Sequence, residues 1–413
     1  MSTPETRKAL RASVMEAVNG LSKPELLEQF AISRMADLTG LDRIGLPVYS
    51  CTRALSATIS IQSGKGLTKA AARCGAICEA IEFEVAEHPV GSFRIAAANQ
   101  LPEEDHLPLE DCFPSRSSVV NEYTPLAWEE VTNVQNGAKQ LIPSDLIWMT
   151  PRIKHQPLAH FQSSSNGLAS GGSLEDAILS GLYELIERDG WTLSQFLTDN
   201  CGLLPHRTPL AGLPDRIEAM LRDIEAASAK LHLFDITTDY RVPVFSAVLL
   251  DLSGQCAGTF GGYGCHLNAE IAAIRAITEA AQGRCCYISG ARDDLFRRHF
   301  LLMKRMDQSK LDEMYTDLPL ASPLSEYRHV SFPDAKSELR YLLRLIKGHG
   351  VSEVFVKDMG SYVNDKVRIV RVMSPQCEPV NLDHWTPGLR CLSYAERKLE
   401  AMKVEEDEEW KKA

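Results

Sequence analysis

The chain has 413 residues, of which 44% are hydrophobic and 24% are charged, a composition typical of a globular protein with a large core. Its net charge of -11, without any lysine- or arginine-rich block, argues against nucleic acid as a partner. No apolar run reaches the about 18 residues of a membrane helix, and no signal peptide precedes the first helix, so we expect no membrane association and a cytoplasmic location.

The first part of the chain is predicted to form helices, then strands, then a longer helix. Apolar residues at helical spacing predict helix over residues 1 to about 40. A turn with a short strand follows over 39–50 and a second strand over 57–62. A Ser-Gly-Lys-Gly turn over 63–66 then leads into a helix over about 69–86.

The middle of the chain repeats this order. A Gly-rich loop over 163–172 precedes a helix over about 173–196, for which Ser173 is a suitable N-cap. A strand over 242–251 and a Gly-rich loop over 261–266 precede a third long helix, over about 268–283.

The last third is predicted to contain a helix over 335–348, strands over 353–358 and 367–373, and a charged tail over 405–413. Together the elements predict an α+β (mixed α/β) fold with several helices and mixed sheets. We divide the chain into an N-terminal helical extension (1–38), a main domain (39–380) and a C-terminal segment with the charged tail (381–413).

Three of the long helices carry nearly the same seven residues: small, aliphatic, any, Glu, any, apolar, then Glu or Gln. Residues three apart share one face of a helix. The pairs so formed are Glu79 with Glu82, Glu184 with Glu187, and Glu279 with Gln282. Neighbouring carboxylates repel each other unless a cation lies between them, and oxygen ligands suit Mg²⁺. A single pair would usually be solvated helix surface, but three copies among small apolar residues favour a metal site.

Positive side chains near these pairs are suited to phosphate groups. Lys65 lies in the Ser-Gly-Lys-Gly turn, Arg188 directly follows the second pair, and Arg275 lies one turn before Glu279. Asn166 lies in the first Gly-rich loop. The chain has no Walker A, HExxH, protein-kinase or GxSxG motif, so any ATP site must be of another kind.

Candidates for a general base are His155, His160 and His266, each with a packing role as the alternative. The eleven cysteines include no Cys-x-x-Cys pair, so structural zinc is not expected. Cys74 and Cys78, four residues apart on a predicted helix, are interpreted as packing residues.

These motifs together resemble the YcaO family. The resemblance covers about residues 39–380 and includes the three Glu-bearing helices, Gly64-Lys65-Gly66, the loop over 165–171 and the segment over 289–294. It implies a YcaO-like fold around a central ATP site and an ATP- and Mg²⁺-dependent enzyme that phosphorylates a backbone amide oxygen of a peptide or protein. A nucleophile then attacks the activated carbon: a Cys, Ser or Thr side chain gives an azoline, and a sulfur donor gives a thioamide, usually with a TfuA-type partner.

The resemblance also assigns roles to individual residues. Metal-binding acids are Glu79, Glu82, Glu184, Glu187 and Glu279. Nucleotide contacts are Lys65, Ser164, Asn166, Arg188, Arg275 and Gln282, with Arg188 and His266 as the catalytic candidates. Two positions depart from the family pattern, because Gly75 and Phe83 stand where a serine and an arginine are usual.

Azoline-forming members often end in a Pro-rich tail, which is not found in the last residues here, 408–413. No N-terminal extension long enough for a leader-peptide-binding module is present either. Both observations favour thioamide formation, by an enzyme with a TfuA-type partner, over a cyclodehydratase of a ribosomal peptide (RiPP) pathway. A non-catalytic accessory factor for ribosomal-protein modification and a metal-dependent hydrolase are further alternatives. A homodimer is the expected oligomeric state.

Overall fold

The structure is a computed structural model, and it describes residues 4–91, 93–113, 118–149, 160–161, 164–253, 258–295, 297–328, 330–380 and 386–412. Its helices are α1 (Pro4–Gly20), α2 (Lys23–Phe30), α3 (Lys69–Glu87), α4 (Leu174–Cys201), α5 (Asp215–Ala226), α6 (Ala269–Ser289), α7 (Arg297–Arg305), α8 (Gln308–Thr316), α9 (Ala335–Lys347) and α10 (Leu389–Lys412). Its strands are β1 (Arg34–Asp37), β2 (Val48–Thr52), β3 (Ile61–Lys65), β4 (Arg94–Ala97), β5 (Pro125–Asn133), β6 (Lys139–Pro143), β7 (Leu168–Gly171), β8 (His206–Arg207), β9 (Ala229–Asp235), β10 (Val244–Asp251), β11 (Thr259–Cys265), β12 (Phe355–Tyr362) and β13 (Val367–Met373).

The strands form three sheets, with orders β1-β2-β3, β11-β10-β9-β8 and β4-β5-β12-β13-β7, and β6 pairs with β5. Within the described residues, the pairings between these strands are antiparallel. Long helices cover the sheets, as the predicted α+β class requires, so that prediction is confirmed.

Three strand–helix units organise the molecule: β3 with α3, β7 with α4, and β11 with α6. Each helix begins after an N-cap side chain (Thr68, Ser173 or Asn268) that accepts a hydrogen bond from a backbone N–H of the first turn. The first glutamate of each repeated pair lies eleven residues after its cap, and the second pair member lies three residues further. The shared caps therefore place all three pairs at the same height on their helices.

Glycines let each helix lie directly on its strand. A Cβ on Gly64 would lie 2.1 Å from the backbone of Ala72 and Ala76, and one on Gly171 would lie 2.3 Å from the nitrogen of Ala177. A Cβ on Gly262 would lie 2.2 Å, and one on Gly264 2.1 Å, from the backbone of α6. Glycine in a strand often marks such a close backbone approach.

This packing corrects the sequence prediction at three places. Residues 63–65 belong to β3, 168–171 to β7 and 261–265 to β11, although the glycines in these stretches predicted a turn and two loops. Because the glycines serve the contact between strand and helix, they do not mark chain reversals here.

The three units close on one another around a centre. Helix α3 packs against β3 and also against β7, α4 packs against β7 and β11, and α6 packs against β11 and β3. Their apolar faces, including Ile77, Leu182 and Ile277, are fully buried. The glutamate pairs therefore point towards a common region between the helices.

Both ends of the chain pack on this body. Strand β1 pairs with β2, so the helical prediction for residues 1 to about 40 is wrong at Arg34–Asp37, where the chain adds an edge strand. At the other end, Arg390 of α10 binds Asp189 of α4 at 2.7 Å and Asp239 at 2.8 Å.

None of the helices in the described residues is long and apolar enough to cross a membrane.

Candidate active site

A cavity of about 720 Å³ lies between the three glutamate-bearing helices. Nine of the predicted site residues line it: Lys65, Glu79, Glu82, Glu184, Glu187, Arg188, Arg275, Glu279 and Gln282. They come from positions more than two hundred residues apart, and the closed arrangement of the three units brings them together.

The first helix contributes two carboxylates with raised pKa values. Glu79 accepts a hydrogen bond from the backbone N–H of Ser63 at 2.7 Å, yet burial raises its pKa to about 7. Burial raises the pKa of Glu82 to about 8. The charges of Glu79 and Glu184 also raise this pKa, while hydrogen bonds from Ser170 lower it. Both side chains remain partly open to the cavity, so a cation entering it can reach them.

The second helix contributes two more carboxylates and an arginine. Burial raises the pKa of Glu184 and that of Glu187. Arg188 lies 3.5 Å from Glu187 (Nη1 to Oε1), and the surrounding carboxylates outweigh burial and raise the pKa of Arg188. Its guanidinium lies over the ring of Trp191, 5.5 Å from the ring centre. Glu187 Oε2 is buried without a hydrogen-bond partner among the residues that the structure describes, a costly state unless a ligand satisfies it.

The carboxylate of the third unit, Glu279, is already neutralised by cationic side chains of the protein. Lys65 Nζ lies 2.7 Å from Glu279 Oε2. Burial acts to raise the pKa of Glu279, but Lys65 together with Arg188 and Arg275 lowers it below its usual value. Gln282 donates from Nε2 to the carbonyl of Ser63 at 2.9 Å and so ties α6 to β3.

Ser164 and Asn166 lie elsewhere, although they were predicted to contact the nucleotide. They line a separate cavity of about 80 Å³. Their backbone carbonyls both accept from Arg371 Nη1 at 2.8 Å, and Arg371 is almost completely buried. The loop is therefore fixed by its backbone at residues 164 and 166, and Ser164 and Asn166 do not line the large cavity, whereas Ser165 of the same loop does.

Of the candidate bases in the described residues, His160 and His266 also lie outside the wall of the large cavity. His266 stacks on Tyr183 with ring centres 4.7 Å apart, accepts from the N–H of Asn268 at 2.9 Å and lies 3.4 Å from Glu338. These contacts give it a packing and capping role, so the structure does not support the prediction that it acts as a base. His160 lies against Ser118 at 3.4 Å, and His155 falls outside the described residues.

Several residues in the cavity wall were missed or undervalued in the sequence. Ser170, Cys78 and Arg292 line it. Cys78 was interpreted as a packing residue, and Ser170 and Arg292 lie in stretches of the family resemblance that assigned them no individual role. The two departures from the family pattern, Gly75 and Phe83, also line it. A Cβ on Gly75 would have no contact closer than 3.6 Å, so packing does not require glycine there.

The donor set fits a divalent cation that arrives with a nucleotide. No three Asp, Glu, His or Cys side chains of the described ranges are arranged as a ready-made metal site. Mg²⁺, however, normally keeps several waters and takes one or two carboxylates together with substrate phosphates. Four carboxylates with raised pKa values and one unsatisfied oxygen offer such ligands, and Lys65, Arg188, Arg275 and Arg292 line the same space.

Comparison with known proteins agrees with this geometry. A family model described as YcaO cyclodehydratase, ATP- and Mg²⁺-binding, matches residues 63–378. A protein of Methanothermobacter thermautotrophicus is 32% identical over 385 residues, covering 89% of this chain and 95% of the relative. A protein of Rhizobium leguminosarum bv. trifolii, named for its position in the tfuA 3′ region, is 33% identical over 304 residues and covers 71% of this chain and 70% of the relative.

Solved structures share the fold. A heterocyclase in complex with substrate and cofactor superposes with a TM-score of 0.74 at 19% identity, over 92% of this chain and 53% of its own. This chain thus spans about half the length of that heterocyclase. The YcaO protein of Methanopyrus kandleri bound with AMPPCP and Mg²⁺ superposes with a TM-score of 0.70 at 19% identity, over 91% of this chain and 96% of its own.

Proposed function

Because this chain belongs to the YcaO family of ATP- and Mg²⁺-binding proteins, we propose that it uses ATP to phosphorylate an amide oxygen of a peptide or protein substrate. The observation that carries the proposal is the convergence of two glutamate pairs and the Glu279–Gln282 pair on one cavity that also holds lysine and arginine side chains. An amide oxygen is a poor leaving group, and phosphorylation would make it a good one.

We assign the metal mainly to the four carboxylates whose pKa values are raised. Glu79, Glu82, Glu184 and Glu187 would hold Mg²⁺, with Glu279 at the edge of the set. When bound, Mg²⁺ neutralises phosphate charge and orients the phosphoryl group for in-line transfer.

The cations of the wall would bind the triphosphate. Lys65 is held at the cavity by its ion pair with Glu279, and Arg188 is oriented by Glu187 and by the face of Trp191. Arg275 lies on the same helix as Glu279. Gln282 would act through β3, since its amide holds the Ser63 carbonyl and thereby the strand that carries Lys65.

For the second step we propose thioamide formation with a sulfur donor and a TfuA-type partner. A relative 33% identical to this chain is named for its position beside tfuA, which supports this branch. The alternative is azoline formation, supported by the family description as cyclodehydratase and by the fold shared with a heterocyclase. The predicted homodimer and the predicted domain boundaries stay predictions.

Titration calorimetry with ATP and Mg²⁺ tests the site. Glu184→Gln keeps the shape of the side chain but removes a metal-binding charge, so we expect it to weaken binding by about tenfold or more, equivalent to about 1.4 kcal/mol. Glu400→Gln, at an exposed position of α10, is the matched control and should bind like the wild type. Equal binding by wild type and Glu184→Gln would remove the basis for the assignment.

Mass spectrometry of the substrate separates the two branches. Exchange of one oxygen for one sulfur marks a thioamide, and loss of one water marks an azoline. ATP hydrolysis with an unchanged peptide, in the presence of partner and sulfur donor, would contradict amide activation.

A further inference from the structure

A pair of thiols lies at the edge of the large cavity. Cys74 and Cys78 are one turn apart on α3, and their sulfur atoms are 3.9 Å apart. Cys78 lines the cavity together with Glu79 and Glu82, and Cys74 lies behind it, towards the beginning of the helix. Both thiols are partly buried.

The other two strand–helix units show that packing does not require these thiols. The positions equivalent to Cys78 are Tyr183 and Thr278, and those equivalent to Cys74 are Leu179 and Ile274. Tyr183 donates its hydroxyl to Glu338 at 2.6 Å, and Thr278 donates to a carbonyl of its own helix at 2.8 Å. Among the described residues, neither Tyr183 nor Thr278 lines the cavity, whereas Cys78 does. The first unit therefore differs from the other two in presenting a thiol to the cavity.

We propose that Cys78 carries a sulfane sulfur in the cavity and that Cys74 releases it, an inference that rests on the proposed thioamide formation. The Cys78 thiolate would attack the terminal sulfur of a persulfide-bearing donor. The S–S bond of the donor breaks, the donor leaves as a thiol, and Cys78 becomes a persulfide. A phosphorylated amide bound at the glutamates would lie in the same cavity as that persulfide, because Cys78, Glu79 and Glu82 all line it.

The chemical steps balance. The terminal sulfur of the Cys78 persulfide attacks the activated carbon, a C–S bond forms, and the C–O bond to phosphate breaks. The Cys74 thiolate then attacks Cys78 Sγ. The bond between the two sulfur atoms breaks, and its electron pair remains on the substrate as the thioamide sulfur. The two cysteines end as a disulfide, which an external thiol reductant must reopen.

Helix geometry favours the reduction of this disulfide. Cβ atoms four residues apart on a helix are about 5–6 Å apart, whereas a relaxed disulfide needs about 3.5–4.5 Å. A disulfide between Cys74 and Cys78 would therefore be strained and readily reduced, as a catalytic intermediate should be.

The test uses the full chain with inorganic polysulfide, without ATP or substrate. In the wild type, Cys78 should gain one sulfur, and attack by Cys74 should then release it as sulfide and leave the Cys74–Cys78 disulfide. In Cys74→Ser, Cys78 should still gain sulfur, but sulfide release should be slower by about tenfold or more, because the attacking thiol is gone. Peptide mapping locates the sulfur, and a sulfide assay follows the release.

Cys201→Ser is the control, because Cys201 is also partly buried but lies outside the cavity wall, and it should behave like the wild type. Cys74→Ala checks that the effect belongs to the thiol, and melting curves check that each variant is folded. The proposal is overturned if Cys78 gains no sulfur or if Cys74→Ser releases sulfide as fast as the wild type. Disulfide formation with an oxidant but no sulfur on Cys78 would also overturn it, and would indicate a redox pair. The calorimetry and the substrate masses test the proposed function separately, because polysulfide loading needs neither nucleotide nor substrate.

Discussion

The glutamates of the cavity should make the metal-free protein less stable as pH rises. The pKa of Glu82 is raised from 4.5 to about 8, so between these values the unfolded chain has released a proton that the folded chain still holds. The stabilisation that Glu82 contributes is therefore fully present below its unfolded pKa of 4.5 and is lost as pH rises to its folded pKa of about 8. Above that pH the contribution no longer changes. The carboxyl of Glu79, with a pKa raised to about 7, acts in the same direction.

The size of the effect follows from the shift. At about 1.4 kcal/mol per pKa unit, the full shift of Glu82 would correspond to about 5 kcal/mol. Because the side chain is partly open to the cavity, solvent screens the charge, and we expect about 2 kcal/mol. Glu82→Gln, which cannot ionise, should thus raise the melting temperature at pH 8 by about 2–5 °C and leave it almost unchanged near pH 4.5.

The assay is thermal unfolding from pH 4.5 to 8.5 in a metal chelator, repeated with ATP and Mg²⁺. ATP and Mg²⁺ should stabilise the wild type more than Glu82→Gln, since at a fixed concentration a ligand stabilises the folded state more when it binds more tightly. The difference in melting temperature between Glu82→Gln and the wild type should therefore shrink or change sign when ATP and Mg²⁺ are added. Glu400→Gln serves as the control. A flat pH profile for the wild type, or a lower melting temperature for metal-free Glu82→Gln at pH 8, would refute the reasoning.

Three further changes test the architecture of the site. Lys65→Met removes the cation 2.7 Å from Glu279, and we expect ATP affinity to fall by about tenfold, measured by calorimetry. Gly64→Ala places a Cβ 2.1 Å from the backbone of α3 and should destabilise the protein by about 3 kcal/mol, visible as a lower melting temperature, whereas a wild-type melting curve would contradict the close packing. Arg371→Met removes the donor to the carbonyls of residues 164 and 166 and should speed amide hydrogen exchange over 164–168, with unchanged exchange as the contrary result.

Repetition and local chemistry made much of the site predictable. The seven-residue pattern occurs three times with its glutamates at fixed spacing, and this spacing alone places each pair on one helix face. The N-cap at Ser173 was predicted for the same kind of reason, because capping depends on residues within one turn. Lys65 was predicted from its Ser-Gly-Lys-Gly turn, and Arg188 and Arg275 from their short distance along the chain from these pairs; the structure places the three in one cavity wall.

The missed features depend on contacts between distant segments. Glycines in β3, β7 and β11 predicted loops, since nothing in the local sequence shows that a helix returns to lie on them. Asn166 and His266 matched expected residue types at expected places, yet Arg371 and Tyr183, far away in sequence, decide which way those segments face.

The sequence by itself therefore determined the composition of the site: which helices carry acids, at what spacing and with which neighbouring cations. Only the tertiary structure decided which of these groups share one cavity, because closure of the three strand–helix units depends on close packing between residues that are far apart along the chain. The same closure leaves Glu79, Glu82, Glu184 and Glu187 with raised pKa values while Lys65 neutralises Glu279. Burial and neighbouring charge set these properties, and both exist only in the folded chain.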